Sequence, residues 1–313
     1  MTEITAPDGS RLSPLCFGTM QFGGTADETD SREMWDACRA VGLNFFDTAF
    51  VYTEGRSETF TGRFARDERD RLVIATKAGY TGGSGKANLR AQFDESRRRL
   101  GMDMVDILYL HRWDGETPLG ETFETLAEMQ GAGQIRYIGV SNFAAWQVMK
   151  AQAVAAGLGT RIDILQPMYS LVKRQAEVEI LPMARAEGIA VAPYSPLGGG
   201  LLTGKYGAGG EGRLTADARY AARYGEGWMH FTAQALAEQA RAMHHDPATI
   251  AVAWAARHPG VTAPIVSARN ARQLAPSLAA ATLEIDAAAY AEISALSQTP
   301  PPATDRLEEA GPS

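Results

Sequence analysis

The chain reads as a (β/α)8 TIM barrel of parallel strands, with a long loop after strand seven and a C-terminal helical tail. Three observations predict this class. Short β-rich runs alternate with amphipathic helical stretches along the whole length, and eight such runs occur. The ends of successive runs lie roughly thirty residues apart, the length of one strand–helix unit, which implies parallel strands with right-handed crossovers. The 313 residues, 45% hydrophobic and 21% charged, can bury a large core, and a barrel of this kind typically takes about 250. A doubly wound sheet is the alternative. It calls for G-x-G-x-x-G after its first strand, and FGTMQFGG (17–24) does not supply that spacing.

In chain order, LCFG (15–18) is the first strand and DSREMWDACRAVG (30–42) a helix ending on glycine. Strands follow at LNFF (43–46) and LVIAT (72–76), then a helix at 87–101, a strand at VDILYL (105–110) and a helix at 118–133. IRYIGV (135–140) and IDIL (162–165) are the fifth and sixth strands, a helix spans 173–188, and IAVA (189–192) and PIV (264–266) complete the eight. The chain is expected to form a single domain over 1–313, with surplus length in 1–14, in the glycine-rich segment 196–230 and after 283. A connection as long as 196–230 is uncommon unless it binds something or moves. The proline-rich end, 299–313, is expected to be a mobile tail.

Composition removes several functions. A net charge of -7, from 37 acidic and 30 basic residues with no run of five like charges, argues against nucleic acid or anionic lipid as a partner. Cys16 and Cys38 are too few for a disulfide framework or a thiolate metal cage. The N-terminus lacks a basic-then-apolar leader, and no run of roughly 18 apolar residues occurs, so a cytoplasmic chain complete from Met1 is expected.

In such barrels the reactive groups sit at the carboxyl ends of the strands. Here those ends carry Asp47, Lys77, His111, Ser141 with Asn142, Gln166, and Tyr194 with Ser195, and Tyr52 lies five residues past Asp47. A glycosidase needs two carboxylates, and only Asp47 closes a strand. A metal hydrolase needs clustered ligands, whereas His230, His244, His245 and His258 are scattered through the last third, so no metal is expected. A Schiff-base lyase could use Lys77, but the lysine would have to be neutral beside Asp47. The set is better suited to tuning Tyr52: an adjacent ammonium should lower a phenol from about 10 toward neutrality. Asp47 would hold Lys77 charged, His111 would orient or share the proton at a carbonyl oxygen, and a hydride-carrying cofactor would complete the reaction. Taken alone, Asp47 and Lys77 are better read as a structural ion pair, and it is Tyr52, His111 and the polar strand ends beside them that favour the catalytic reading. Asp106, inside the fourth strand, reads as a backbone partner. GGLLTGK (199–205) resembles a nucleotide phosphate loop, but Tyr206 stands where magnesium would need Ser or Thr. Phe22, Phe50, Trp113 and Trp228 are candidates to line an apolar substrate pocket, and Arg112 is equally well read as a partner for an acidic substrate group or as a solvated or structural arginine.

The segments FGTMQFGG (17–24), FFDTAFVYTEGRSE (45–58), LYLHRWD (108–114), GQIRYIGVSNF (133–143), APYSPLGGGLLTGKY (192–206) and HPGVTAPIVSARNARQL (258–274) resemble the aldo-keto reductase superfamily over nearly the whole length. The resemblance implies a nicotinamide-dependent barrel that reduces aldehydes and ketones, with Tyr52 as general acid and Asp47, Lys77 and His111 completing a tetrad. It also implies NADP(H) sites: Ser141, Asn142 and Gln166 at the carboxamide, Tyr194 stacked on the ring, Ser195, Leu197, Gly198, Gly200 and Lys205 around the pyrophosphate, and Arg269, Gln273 and Ser277 at the adenosine end. Preference for NADPH rests on Arg269, helped by Arg272, meeting a 2′-phosphate. The chain departs from many relatives at Thr53-Glu54, at Ser267 and at Pro276-Ser277. A nucleotide-bound sensor or subunit with little turnover is the alternative from another class.

Overall fold

The computed structural model describes residues 2–306 and 308. Its eight strands are β1 Cys16–Gly18, β2 Phe45–Asp47, β3 Val73–Ala78, β4 Val105–Leu110, β5 Ile135–Ser141, β6 Ile164–Gln166, β7 Ala190–Val191 and β8 Ile265–Val266. All pair in parallel in the order β7-β6-β5-β4-β3-β2-β1-β8. The two ends of that order meet through Tyr194, which bridges Met168 on one side and Ile265 on the other, and Ile265 N–H donates to Pro193 O at 2.8 Å. The sheet is therefore a ring.

Side chains alternate between the two faces of a strand, and this period divides the interior into two cores. Cys16, Phe45, Val73, Ala75, Ile107, Tyr109, Ile164, Ala190 and Ile265 form one cluster, inside the ring. Phe17, Phe46, Ile74, Leu108, Ile138, Leu165, Val191 and Val266 belong to the other, packed beneath the helices. Trp35, for example, stacks on Phe46 at 3.9 Å. Gly139 occupies an inward position of β5 for a steric reason: a Cβ there would lie 2.3 Å from the Tyr109 ring. The same parity carries Asp47, Lys77, His111, Ser141, Gln166 and Tyr194 inward, each one step beyond the apolar inward positions of its strand.

The outer layer consists of α1 Glu28–Ala40, α2 Arg56–Ala65, α3 Lys86–Leu100, α4 Leu119–Gly131, α5 Ala145–Gly157 and α6 Ile180–Ala186, followed by α7 Arg213–Ala216, α8 Ala218–Tyr224, α9 Gly227–Ala242, α10 Pro247–Arg257, α11 Ala271–Ala279 and α12 Ala287–Ala295. Asp27 caps α1 by accepting from Asp30 N–H, and Gly101 ends α3 in the left-handed conformation. The helix expected at 173–188 is confined to α6. Pro182, lacking an N–H, belongs in a first turn, so the helix starts at Ile180, and the preceding residues form a turn tied by Arg174 and Glu177. Segment 196–230 is not a plain loop: it holds two 3-10 turns, α7, α8 and the start of α9. The tail after 283 is helical as expected, and α12 docks by Trp254 Nε1–H donating to Ser294 Oγ at 2.9 Å. Of the proline-rich end 299–313, residues 307 and 309–313 lie outside the described residues. Among the described residues no helix is long and apolar enough to cross a membrane.

Candidate active site at the barrel mouth

Asp47 ends β2, Lys77 lies within β3 and His111 follows β4, so the inward parity of three adjacent strands brings a carboxylate, an ammonium and an imidazole together. Lys77 Nζ donates to Asp47 Oδ2 at 2.5 Å, to Thr48 O at 2.7 Å and to the Tyr52 hydroxyl at 3.3 Å. Gln166 Nε2 donates to Asp47 Oδ1 at 2.9 Å, so both carboxylate oxygens are partnered. Asp47 and Lys77 are buried, which an ion pair tolerates only with such complete hydrogen bonding. The His111 ring meets the Tyr52 ring edge-on at 5.8 Å, and its buried Nδ1 has no partner among the described residues.

The electrostatics correct one expectation. Burial pushes the Tyr52 phenol above its ordinary value; Lys77 pulls it down without prevailing, and Asp47 adds to the rise. The phenol is a firmly held proton, not one loosened toward neutrality. Lys77 is drawn down by burial, but Asp47 and Tyr52 together leave it raised, so it remains an ammonium. Burial raises the Asp47 carboxyl against the pull of Lys77 and Gln166. Burial, with Lys77 and Arg112 nearby, lowers His111 to about 3, which makes the imidazole neutral.

The Tyr52 loop is unusual in its backbone. Thr53 (φ 46°), Glu54 (φ 57°) and Gly55 (φ 90°) are consecutively left-handed, a conformation that strains a β-branched threonine. Thr53 is held there by donating through Oγ1 to Phe22 O at 2.8 Å and accepting from Ser57 N–H at 2.9 Å. Beneath it, Ser57 Oγ donates to Thr19 O and shares hydrogen bonds with the Thr48 and Thr19 hydroxyls, all near 2.8 Å.

Ser141, Asn142, Gln166 and Tyr194 form one network. Ser141 Oγ donates to Gln166 O at 3.0 Å, Asn142 Nδ2 to His111 O at 3.0 Å, and Tyr194 OH to Asn142 Oδ1 at 2.7 Å. Ser195, left-handed at φ 61°, and Leu197 lead into Gly198, Gly199 and Gly200, all left-handed. A Cβ on Gly198 or Gly199 would meet Val172, or Tyr220 and Tyr224, at 2.8–3.0 Å, whereas one on Gly200 would make only ordinary contact, at 3.7 Å with Lys205 Nζ. That pairing of a left-handed glycine turn with an ammonium fits an anionic group. Arg269 and Gln273 are exposed at the start of α11, whose Asn270 caps Gln273 N–H.

Two expected site residues lie elsewhere. Ser277 is 1% exposed, on the side of α11 that buries Leu274 and Leu278, so it faces the core and not the adenosine end. Phe22 is fully buried between Phe17 and Phe64. The half-buried Phe50 ring carries the Arg99 guanidinium of α3 at 4.6 Å. Trp113 does border the mouth, packed on Phe143 and on the exposed Trp146, and Trp228 is half-buried at the start of α9. Asp106 is a structural acid, accepting from Ile74 N–H and pairing with Arg69 and Arg136. Residues not anticipated include Thr48, whose backbone carbonyl carries no sequence signal, and Tyr220 of α8, near enough to Tyr52 and Tyr194 to act on both electrostatically. A cavity of about 380 Å³ between α2 and α3 lies away from the mouth; of the five arginines that line it, Arg63, Arg69, Arg98 and Arg99 are paired with Glu28, Asp106, Glu95 and Glu58, and Arg66 is the fifth.

A parallel barrel with a buried Asp–Lys pair touching a mouth tyrosine defines a class of barrel enzymes acting at the strand ends. The chain belongs to the aldo/keto reductase family, whose model matches residues 14–298. It is 33% identical to the uncharacterized oxidoreductase YrpG of Bacillus subtilis, covering 89% of this chain and 90% of that one. A probable voltage-gated potassium channel subunit beta of Oryza sativa is also 33% identical, over 87% and 88% of the two chains. Norsolorinic acid reductase B of Dothistroma septosporum is 36% identical over 62% of this chain and 56% of its own.

Proposed function

We propose that this protein reduces aldehydes or ketones to alcohols with NADPH, Tyr52 giving the proton to the carbonyl oxygen. The observation that carries the reading is the Lys77 ammonium held between Asp47 and the Tyr52 hydroxyl. Family membership and relatives named as oxidoreductase and reductase support it. A bound reduced nicotinamide would supply hydride to the carbonyl carbon. The network of Ser141, Asn142, Gln166 and Tyr194 would hold its amide end, Ser195 to Gly200 with Lys205 its phosphates, and Arg269 with Gln273 its adenosine end, where a guanidinium favours a 2′-phosphate.

Tyr52 keeps its proton until a developing alkoxide demands it, and Lys77 then stabilises the phenolate left behind. Neutral His111 offers an N–H to the same oxygen without competing as an acid. Asp47 keeps Lys77 charged, which also counts against a Schiff base, since that chemistry needs a free amine.

The direct test is a panel of aldehydes and ketones with NADPH and NADH, following loss of reduced-nicotinamide absorbance. Turnover with NADPH is expected, and its absence across the panel would sink the reading. The likeness to a potassium channel subunit favours a second reading, a nucleotide-bound subunit of low turnover. A single turnover of bound NADPH without sustained cycling would select it.

The pH profile follows from the same groups. His111, at about 3, does not titrate near neutrality, and a raised Tyr52 retains its proton beyond the usual phenol range. kcat/KM for reduction should therefore be level between about pH 6 and 9 and decline only above about 10. A limb near pH 6.5 would show instead that protonated His111 takes part.

A further inference from the structure

At the mouth, beside the groups that would handle the carbonyl, stands a cation that no carboxylate neutralises among the described residues. Arg112, directly after His111, is exposed and lays its guanidinium over the Tyr80 ring at 4.9 Å. Tyr80 in turn lies 4.9 Å from the His111 ring, so the guanidinium is held one aromatic ring away from the imidazole. Among the described residues no carboxylate pairs with Arg112, in contrast to most arginines of this chain. Two acids of the neighbourhood are engaged elsewhere. Asp114, two residues on, accepts from Ser84 N–H at 2.7 Å, from Thr117 Oγ1 at 2.6 Å and from Glu116 N–H at 2.9 Å. Asp217, on the α8 side of the mouth, is taken by Arg219 at 2.8 Å. The aromatic group of Trp113, Phe143 and Trp146 flanks the same loop.

A guanidinium that is stacked, oriented and unpaired is suited to bidentate capture of a carboxylate. We propose that Arg112 selects carbonyl substrates bearing a carboxylate on a flat, apolar spacer, with the carbonyl directed to Tyr52 and His111 and the acid to Arg112. This rests on the carbonyl-reductase reading. It explains why a chain of net charge -7 leaves a free cation at its mouth, where it would draw in an anionic substrate against the overall field.

The test compares 4-carboxybenzaldehyde with its neutral methyl ester in the NADPH-loaded protein and in Arg112→Gln. The ratio of kcat/KM, acid over ester, should fall at least tenfold in the variant, in line with loss of one charge-assisted pair. An unchanged ratio would overturn the proposal. Terephthalate, titrated into the NADPH complex by tryptophan fluorescence, provides a readout that needs no turnover: it should bind the parent and bind Arg112→Gln at least tenfold more weakly. Equal binding, or none to the parent, would refute the assignment of Arg112. If neither aldehyde is reduced while terephthalate binding still depends on Arg112, the carbonyl-reductase reading fails and the carboxylate site stands.

Discussion

Tyr52→Phe is expected to lower kcat/KM for carbonyl reduction by about 10²- to 10⁴-fold, the usual contribution of a positioned proton donor. The phenylalanine ring keeps the aromatic face that Lys77 Nζ approaches at 4.8 Å and loses only the 3.3 Å contact to the hydroxyl. Affinity for NADPH should therefore stay close to that of the parent. Steady-state kinetics with a reactive aldehyde, alongside fluorescence titration of the cofactor, separates the two quantities. Near-parental turnover would remove Tyr52 as the acid. Loss of cofactor affinity in step with turnover would mean that the substitution disturbs the mouth as a whole.

Lys77→Met is the change with the second large effect, and it acts on stability as well as rate. Removing the ammonium strands Asp47, which is 3% exposed, and leaves Thr48 O without its donor. Breaking a buried pair from one side costs about 3–5 kcal/mol, and the carboxyl is expected to take up a proton to limit the penalty. Denaturant unfolding should register this destabilisation, while activity falls because the phenolate has lost its counter-charge. Adding Asp47→Asn to Lys77→Met should recover much of the stability and none of the rate. Recovery of both would show that the pair is structural only.

Much of the fold could be read from residues alone because a parallel barrel strand is apolar on both faces and is closed by a polar residue. The runs at 105–110 and 135–140 were placed to within one residue of β4 and β5, and the strand ends at Asp47, Lys77, His111 and Gln166 converge as their spacing implies. What escaped was orientation in three dimensions. Ser277 and Phe22 match local motifs, but whether such a side chain faces ligand or core depends on the phase of its helix or turn against neighbours remote in sequence. The Tyr52 shift escaped for a similar reason: the lysine was legible, the depth of burial was not. Segment 196–230 was recognised by its length and glycines, yet its helices α7 and α8 are too short to show a period.

The closure of the ring at Tyr194 bears on how the molecule is assembled. Strands β2 to β7 each find a partner already made as the chain emerges, but β1 gains its second neighbour, and Tyr194 its bond to the other edge, only once Ile265 exists. The side of the mouth formed by Asp47, Tyr52, Lys77 and His111 is thus complete within the first 111 residues of the chain. The half proposed to receive the cofactor waits on a joint made more than seventy residues after Tyr194. Synthesis would deliver a still open cup carrying Asp47, Lys77 and His111 before it delivers the closed ring.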